Sequence, residues 1–334
     1  MTKYYSGLEV YEYHSYPPMP YTGKNWRILL EKPIHGSFGS TFILNDQKYP
    51  VMEVVIEADS VNIATQVLDL IKAALCLINS FDGDYNFIPL TKEQLIDSQH
   101  KEYIGRSKTT QPYILFACQI AVKSSFRKHY QHALFKHYVS HINFPTDPHI
   151  LDPYHWRHEK YANSSSFILP SRLDQVKAAS AIILCYSAIE ELGLEIRASS
   201  SNPSTINGEW NPKIYDELVD RLTRKNINVL DKYIWVIRDT PTKIEKTRKN
   251  PKGEKAPWSS YNIRDRNVSV ADAILYASFL RSKVASHKLK DIANSLNYYH
   301  VHNVQDLARR LILETFGYWK NFPEVISPEA VYYF

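Results

Sequence analysis

The stretch from Ser171 to Ala198, SRLDQVKAASAIILCYSAIEELGLEIRA, decides the fold. Between Ala178 and Ile189 it is apolar nearly all round, so it reads as a helix buried on every side, the centre of a helical bundle. Near its end, Glu190 lies one turn from Tyr186 and two from Ile183, on a stripe that should face the core. A carboxylate there needs a cation beside it, and Arg281 is a natural candidate.

Downstream of that helix, Pro203 and Gly208 mark a loop, and Asn211-Pro212 places a cap before a proline at the first helical position. Helices are predicted over about 212–225 and 229–238. Residues 242–257 form a basic loop in which Pro251 and Gly253 oppose a helix. Ser269-Val270-Ala271-Asp272 has capping-box spacing and predicts a helix to about Lys290, and Asn303-Val304-Gln305-Asp306 predicts a last one to about Trp319. Upstream, Phe126, Tyr130, Leu134 and Tyr138 predict one long helix over about 115–142. Residues 143–170, with Pro145, Pro148, Pro153 and Pro170, read as irregular.

The first 110 residues have another texture. Short apolar runs at Trp26–Leu30, Ser40–Leu44 and Val51–Ile56 read as strands, with Asn45–Lys48 as a hairpin connection. Ser60 caps a helix marked by Ile63, Val67, Ile71, Leu75 and Ile78, which Phe81–Asp84 ends. Polar Lys92–Thr110 resembles a linker. The expected fold class is therefore α+β: residues 1–110 form a small mixed α/β domain with a regulatory or substrate-selecting role, and residues 111–334 a mainly α-helical bundle.

Composition narrows the chemistry. The chain has 334 residues and only 10 glycines, and holds no dinucleotide-binding fingerprint, no P-loop and no nucleophile elbow. Gly36-Ser37-Phe38-Gly39 has the wrong spacing for a phosphate loop, and Ala162 stands where a zincin motif opening at His158-Glu159 needs its second His. Cys76, Cys118 and Cys185 sit singly in apolar runs and read as buried thiols of a reducing compartment. Met1–Pro20 lacks the apolar core of a signal peptide, and Ala178–Ile189 is too short to span a bilayer, so a cytoplasmic protein with no membrane partner is expected. The net charge of +5 is uneven. Residues 1–110 carry 10 Lys and Arg against 13 Asp and Glu, so the excess of cations lies beyond them. Such a surface suits an anionic partner, nucleic acid above all.

Two constellations carry chemistry. His129, His132, His137, His141, His149, His155 and His158 crowd one region, and on a helix His137 and His141 stand one turn apart, a metal-ligating spacing. No Cys or carboxylate close in sequence completes a ligand set, and surface or aromatic-packed imidazoles are the plainer alternative. The second constellation is Arg281-Ser282-Lys283-Val284-Ala285-Ser286-His287, an Arg and a His with five residues between them. Arg127-Lys128-His129-Tyr130-Gln131-His132 is a rival match.

The Arg281–His287 segment, late in a helical bundle and after a long buried helix carrying an acidic group, resembles the Arg-x(4–6)-His motif of the HEPN superfamily, the higher eukaryotes and prokaryotes nucleotide-binding domains. The resemblance covers roughly residues 115–320; Ser282 departs from the larger polar residue common at its position. It implies a metal-independent endoribonuclease, a homodimer with a composite site, in which Arg281, His287 and Glu190 are catalytic. Lys283, Ser282, Arg264, Arg266 and the loop cations Lys246, Arg248, Lys249 and Lys252 would hold the RNA backbone. No cofactor and no metal are expected for that chemistry, and the N-terminal domain would meet a regulatory partner or ligand. Growth arrest or antiviral defence is the implied setting. The alternatives are a non-catalytic HEPN-like module that binds nucleotide, RNA or protein, and a His-ligated metalloenzyme.

Overall fold

The computed structural model describes residues 1–11, 21–32, 41–44, 47–79, 89–96, 107–145, 169, 171–238, 263–285 and 296–319. The fold is α+β, and the chain divides into two compact units, Met1–Phe135 and Lys136–Phe334.

The first unit is built on a sheet of β1 (Thr2–Tyr11), β2 (Tyr21–Thr22), β3 (Trp26–Glu31), β4 (Thr41–Leu44), β5 (Gln47–Ala58) and β6 (Ser107–Thr110). The strand order is β2-β3-β5-β1-β6, with β4 also on β5. Only the β1–β6 pairing is parallel. Strand periodicity sorts the side chains. Ile28 lies opposite Ile56 on neighbouring strands, and both are buried. Glu57 stands between Lys3 and Arg27 in register, paired with Arg27 and 3.9 Å from the Lys3 ammonium. Tyr5, Val55 and Leu90 form a second cluster with Leu29 against it. At Gly7 the β1–β5 register shifts; its φ of 73° is the left-handed region that glycine enters without a Cβ clash, and its amide donates to buried Glu53 at 2.8 Å.

Helix α1 (Val61–Asn79) packs on β5 and against α3 (Gln111–Ser125), while α2 (Lys92–Ile96) is a single short element. The predicted helix from Ser60 is thus present. Its window Val61–Ile78 has the length and hydropathy of a membrane span, and 61% of it is buried within the fold, as a core helix would be. The expected linker at Lys92–Thr110 is corrected: its described residues include α2 and β6. Strand β1, unforeseen from the sequence, is what β6 pairs with. The single long helix expected over 115–142 is also corrected. It is two helices, α3 and α4 (Lys128–Asn143), separated at Phe126-Arg127.

In the second unit, α5 (Arg172–Glu191) packs against both α7 (Val270–Ala285) and α8 (Tyr298–Phe316). Ala178, Ala181, Ile182, Cys185, Ala188 and Ile189 are buried along it, so the expected central helix is there. Ser171 caps it, accepting from the Asp174 amide. It stops at Glu191, short of the expected Ala198, because Gly193 (φ 70°) closes it: the Gly193 amide donates to the Glu190 carbonyl and the Leu194 amide to that of Ile189. Helix α6 (Pro212–Arg224) begins at the foreseen Asn211-Pro212 cap, after the small β7 (Thr205–Ile206) and β8 (Glu209–Trp210) pair.

The helix expected over 229–238 is instead β9 (Lys232–Arg238), antiparallel to β10 (Ile263–Ser269). Its reason is legible afterwards: Tyr233 and Trp235 are buried with exposed Ile234 between them, a two-residue period in aromatic and β-branched residues. Ser269 accepts from the Asp272 amide at 3.1 Å and so opens α7 as foreseen. The last helix starts earlier than expected: Asn297 is its cap, with His300 returning the bond, and Asn303 is buried inside the helix. Phe81–Asp84, nearly all of the proline-rich 143–170 segment, the basic loop 242–257 and α7's expected continuation to Lys290 lie outside the described residues.

Candidate functional site

The packing of α5 against α7 brings together two residues 91 positions apart in the chain. Arg281 Nη2 lies 3.4 Å from Glu190 Oε1. The side chains are 44% and 33% exposed, so the pair stands at the edge of the helix layer. This meets the expectation that Glu190 takes Arg281 as its cation and corrects the expectation that Glu190 faces the core. Ile183, on the same stripe, is likewise only partly buried. A pair this exposed contributes on the order of 0–1 kcal/mol to stability, so its geometry matters more than its energy.

Beneath the guanidinium lies Tyr186, which sequence reasoning used only as a register mark. Arg281 Cζ sits 6.0 Å from the Tyr186 ring centroid, and the buried phenol accepts from the Ile196 amide at 3.0 Å. Burial, the largest influence, raises the Tyr186 pKa, so the ring remains a neutral platform for the cation. The Tyr-x-x-x-Glu spacing of Tyr186 and Glu190 was the available signal: one helical turn presents a ring and a carboxylate to one cation.

The end of α5 carries a second group of charges. Glu195 lies 2.5 Å from Arg197 Nε and 3.5 Å from Arg221 Nη1, and Arg221 also donates to the Gly193 carbonyl at 3.3 Å. Glu195 Oε2 and Arg221 Nη2 are buried without a hydrogen-bond partner among the described residues. Burial lowers the Arg221 pKa, and Glu195 acts against that shift. Lys136 closes the other side of the helix end, 2.5 Å from Glu191 and 2.9 Å from the Ser187 hydroxyl.

The remaining expected site residues divide. Ser282 is exposed and donates to the Phe279 carbonyl at 2.8 Å, and exposed Lys283 lies 5.1 Å from the Phe279 ring centroid. Arg264 and Arg266 belong to β10, paired through the backbone with Ile237 and Trp235. His287, Lys246, Arg248, Lys249 and Lys252 lie outside the described residues. In the rival match, Arg127 falls in the break between α3 and α4, bonded to Tyr130 at 3.0 Å, while exposed His132 is on α4. The rival Arg and His therefore do not share a helix.

A buried polar knot on α8 was missed entirely. Arg310 donates to the Lys232 carbonyl at 2.7 Å and to Glu314 at 2.9 Å, lies 3.5 Å from Asp231, and stacks its Cζ 5.2 Å from the Trp319 ring centroid. The Tyr233 hydroxyl is 2.8 Å from the Asn303 carbonyl and 3.1 Å from Asp306 Oδ2. Together these contacts fasten the start of β9 to α8. They are structural in character: each cation is consumed by an acid or a carbonyl within the fold.

Of the histidine group, His129 and His132 are exposed, His137 and His141 are buried, and His149, His155 and His158 lie outside the described residues. Comparison with protein families, curated proteins and solved structures finds no match. The site therefore has to be read from its own residues.

Proposed function

We propose that this protein is a metal-independent endoribonuclease of HEPN type, working as a homodimer. The observation that carries the proposal is the Arg281–Glu190 pair, a guanidinium held on a tyrosine ring at the surface, four residues before the described end of α7. RNA brings its own nucleophile, the 2′-hydroxyl. The protein has to supply proton transfer and stabilisation of the charge that develops on the phosphate. Arg281 offers a planar fork of donors to phosphate oxygens, and Glu190 with Tyr186 fixes where that fork starts. An imidazole exchanges protons near neutral pH, and His287 serves as proton acceptor or donor.

On the helix that the sequence predicts to Lys290, six steps of about 100° would set Arg281 and His287 roughly 120° apart, so one copy would enclose a phosphate poorly. Two copies facing each other form a composite site. Lys283, Ser282, Arg264, Arg266 and the loop cations Lys246, Arg248, Lys249 and Lys252 hold the RNA backbone, contacts that weaken as salt rises. The N-terminal part selects substrate or takes a regulatory partner, in a defence setting.

A non-catalytic RNA- or nucleotide-binding module is the second reading, favoured by one observation: the Ser282 hydroxyl is turned back onto the Phe279 carbonyl. The two separate on product chemistry. Cleavage by 2′-hydroxyl attack leaves 2′,3′-cyclic phosphate ends and stops when the ribose at the cut is 2′-deoxy. RNA bound but left intact by pure protein supports the binding module instead.

A further inference from the structure

The histidines of α4 hold a feature that the RNA chemistry does not use. His137 and His141 follow one another by one turn, and the only partner of ring type for each, among the described residues, is the other: their centroids are 4.7 Å apart at a 52° tilt. His137 is fully buried and His141 is 5% exposed. A nitrogen of one ring lies within 4.8 Å of a nitrogen of the other. Neither His137 Nδ1 nor Nε2 has a hydrogen-bond partner among the described residues. A neutral imidazole carries one donor and one acceptor, and burying both unpaired carries the full desolvation cost of each group. Such a cost needs an explanation in the native protein, and a bound ion is one of the ordinary ones.

We propose that His137 and His141 bind a transition-metal ion of borderline softness, with Zn2+ the representative ion. Two imidazoles at i and i+4 supply the protein half of a four-coordinate site, and water or a further side chain completes it. Bonds of about 2.0–2.1 Å from each nitrogen fit two rings already this close.

The surroundings suit a ligand pair. Both rings are held neutral, chiefly by burial, with His141 pulled down to about 3 and His137 held well below its ordinary value; only the neutral ring binds metal. The Gln305 backbone lies near the His137 ring, outside hydrogen-bond geometry, and pulls the other way. Arg309, from α8, faces both rings and opposes a second cation, and it is offset by Asp306 at 3.8 Å, whose carboxylate also acts on His141 beside His302. Ser140, between the two histidines, is engaged elsewhere: its hydroxyl donates to the His137 carbonyl at 2.6 Å and lies 2.9 Å from Cys185 Sγ. It therefore buttresses the helix turn that carries the rings and leaves the ring nitrogens to the ion.

The test uses the full chain, stripped with a chelator and titrated with Zn2+ and then Co2+. The proposal expects one ion per chain, a rise in thermal midpoint with Zn2+, and the visible absorption of tetrahedral Co2+. His137→Gln and His141→Gln, each checked for native circular dichroism, should weaken Zn2+ affinity at least about tenfold. Should either variant fail to fold, ring 15N spectra of the wild type decide: Zn2+ must shift two imidazoles of the 13 and leave the others in place. No uptake by the wild type, unchanged affinity in a folded variant, or shifts confined to other rings overturns the proposal. Because RNA cleavage needs no metal, chelation should lower the midpoint without stopping cleavage, so the two proposals fail separately.

Discussion

The Arg281 guanidinium rests against both a carboxylate and a ring, with Glu190 at 3.4 Å and the Tyr186 centroid at 6.0 Å. The acid aims the cation without burying it. Replacing Glu190 by Gln keeps the shape and removes the charge. Stability should change by less than about 1 kcal/mol, as for other exposed pairs. Single-turnover RNA cleavage should slow about tenfold, or about 1.4 kcal/mol of activation free energy, while RNA affinity holds or tightens because an anion has left the site. Unchanged kinetics in the variant would leave Glu190 without a positioning role.

Acid should loosen the start of α8 through His300. This ring is buried, and burial pulls its pKa down to about 4. Its Nδ1 accepts from the Asn297 amide at 3.2 Å, which requires the neutral form. The folded pKa lies below the unfolded value near 6.5, so the unfolded chain binds the extra proton. Its stabilisation is complete above about pH 6.5 and is lost toward pH 4, at up to about 1.4 kcal/mol per pH unit. Urea midpoints across that window should fall steeply for the wild type. His300→Gln, which keeps an acceptor at the same capping position, should show a shallower fall; equal slopes would contradict this.

Arg310 is the cation whose loss should hurt the fold most. Its side chain is 7% exposed and its partner Glu314 is 8% exposed. Arg310→Met takes the cation away from buried Glu314, at a cost of roughly 3–5 kcal/mol. Denaturant unfolding gives the value directly, and a loss under about 1 kcal/mol would show that the knot is solvated in solution.

Gly193→Ala separates helix closure from the charges around it. A Cβ at Gly193 meets nothing within 4 Å, so the φ of 70° is the whole obstacle. The variant should lose roughly 1–2 kcal/mol from the left-handed backbone alone. A larger loss, measured by thermal unfolding, would mean that the α5 terminus reorganises and takes Glu195 with it.

Much of the fold was legible where a local rule and a tertiary demand agree. Ser171, Asn211 and Ser269 open helices because their side chains satisfy backbone amides that any helix start leaves bare. The apolar run Ala178–Ile189 could only be central. The misreadings have the opposite cause. Trp235 and Tyr233 sit in a strand because α8 and α7 offer a surface for alternate residues, which no window of local sequence displays. Asn303 and Asp306 look like caps by type, yet both lie inside α8, where the Asn303 backbone carbonyl and the Asp306 carboxylate accept from Tyr233. Of the site, Glu190 and Arg281 were legible as a buried-helix acid seeking a cation. Tyr186 as the platform is signalled only by its one-turn spacing from Glu190, and a buried tyrosine reads first as core.

The most direct measurement of the central claim is cleavage of single-stranded RNA in excess EDTA by wild type, Arg281→Lys, His287→Ala and His132→Ala. Cleavage is expected from the wild type and from His132→Ala, with severe impairment of Arg281→Lys, whose ammonium lacks the fork, and none from His287→Ala. Wild-type protein that leaves RNA intact, or a His287→Ala protein as active as the wild type, would contradict it.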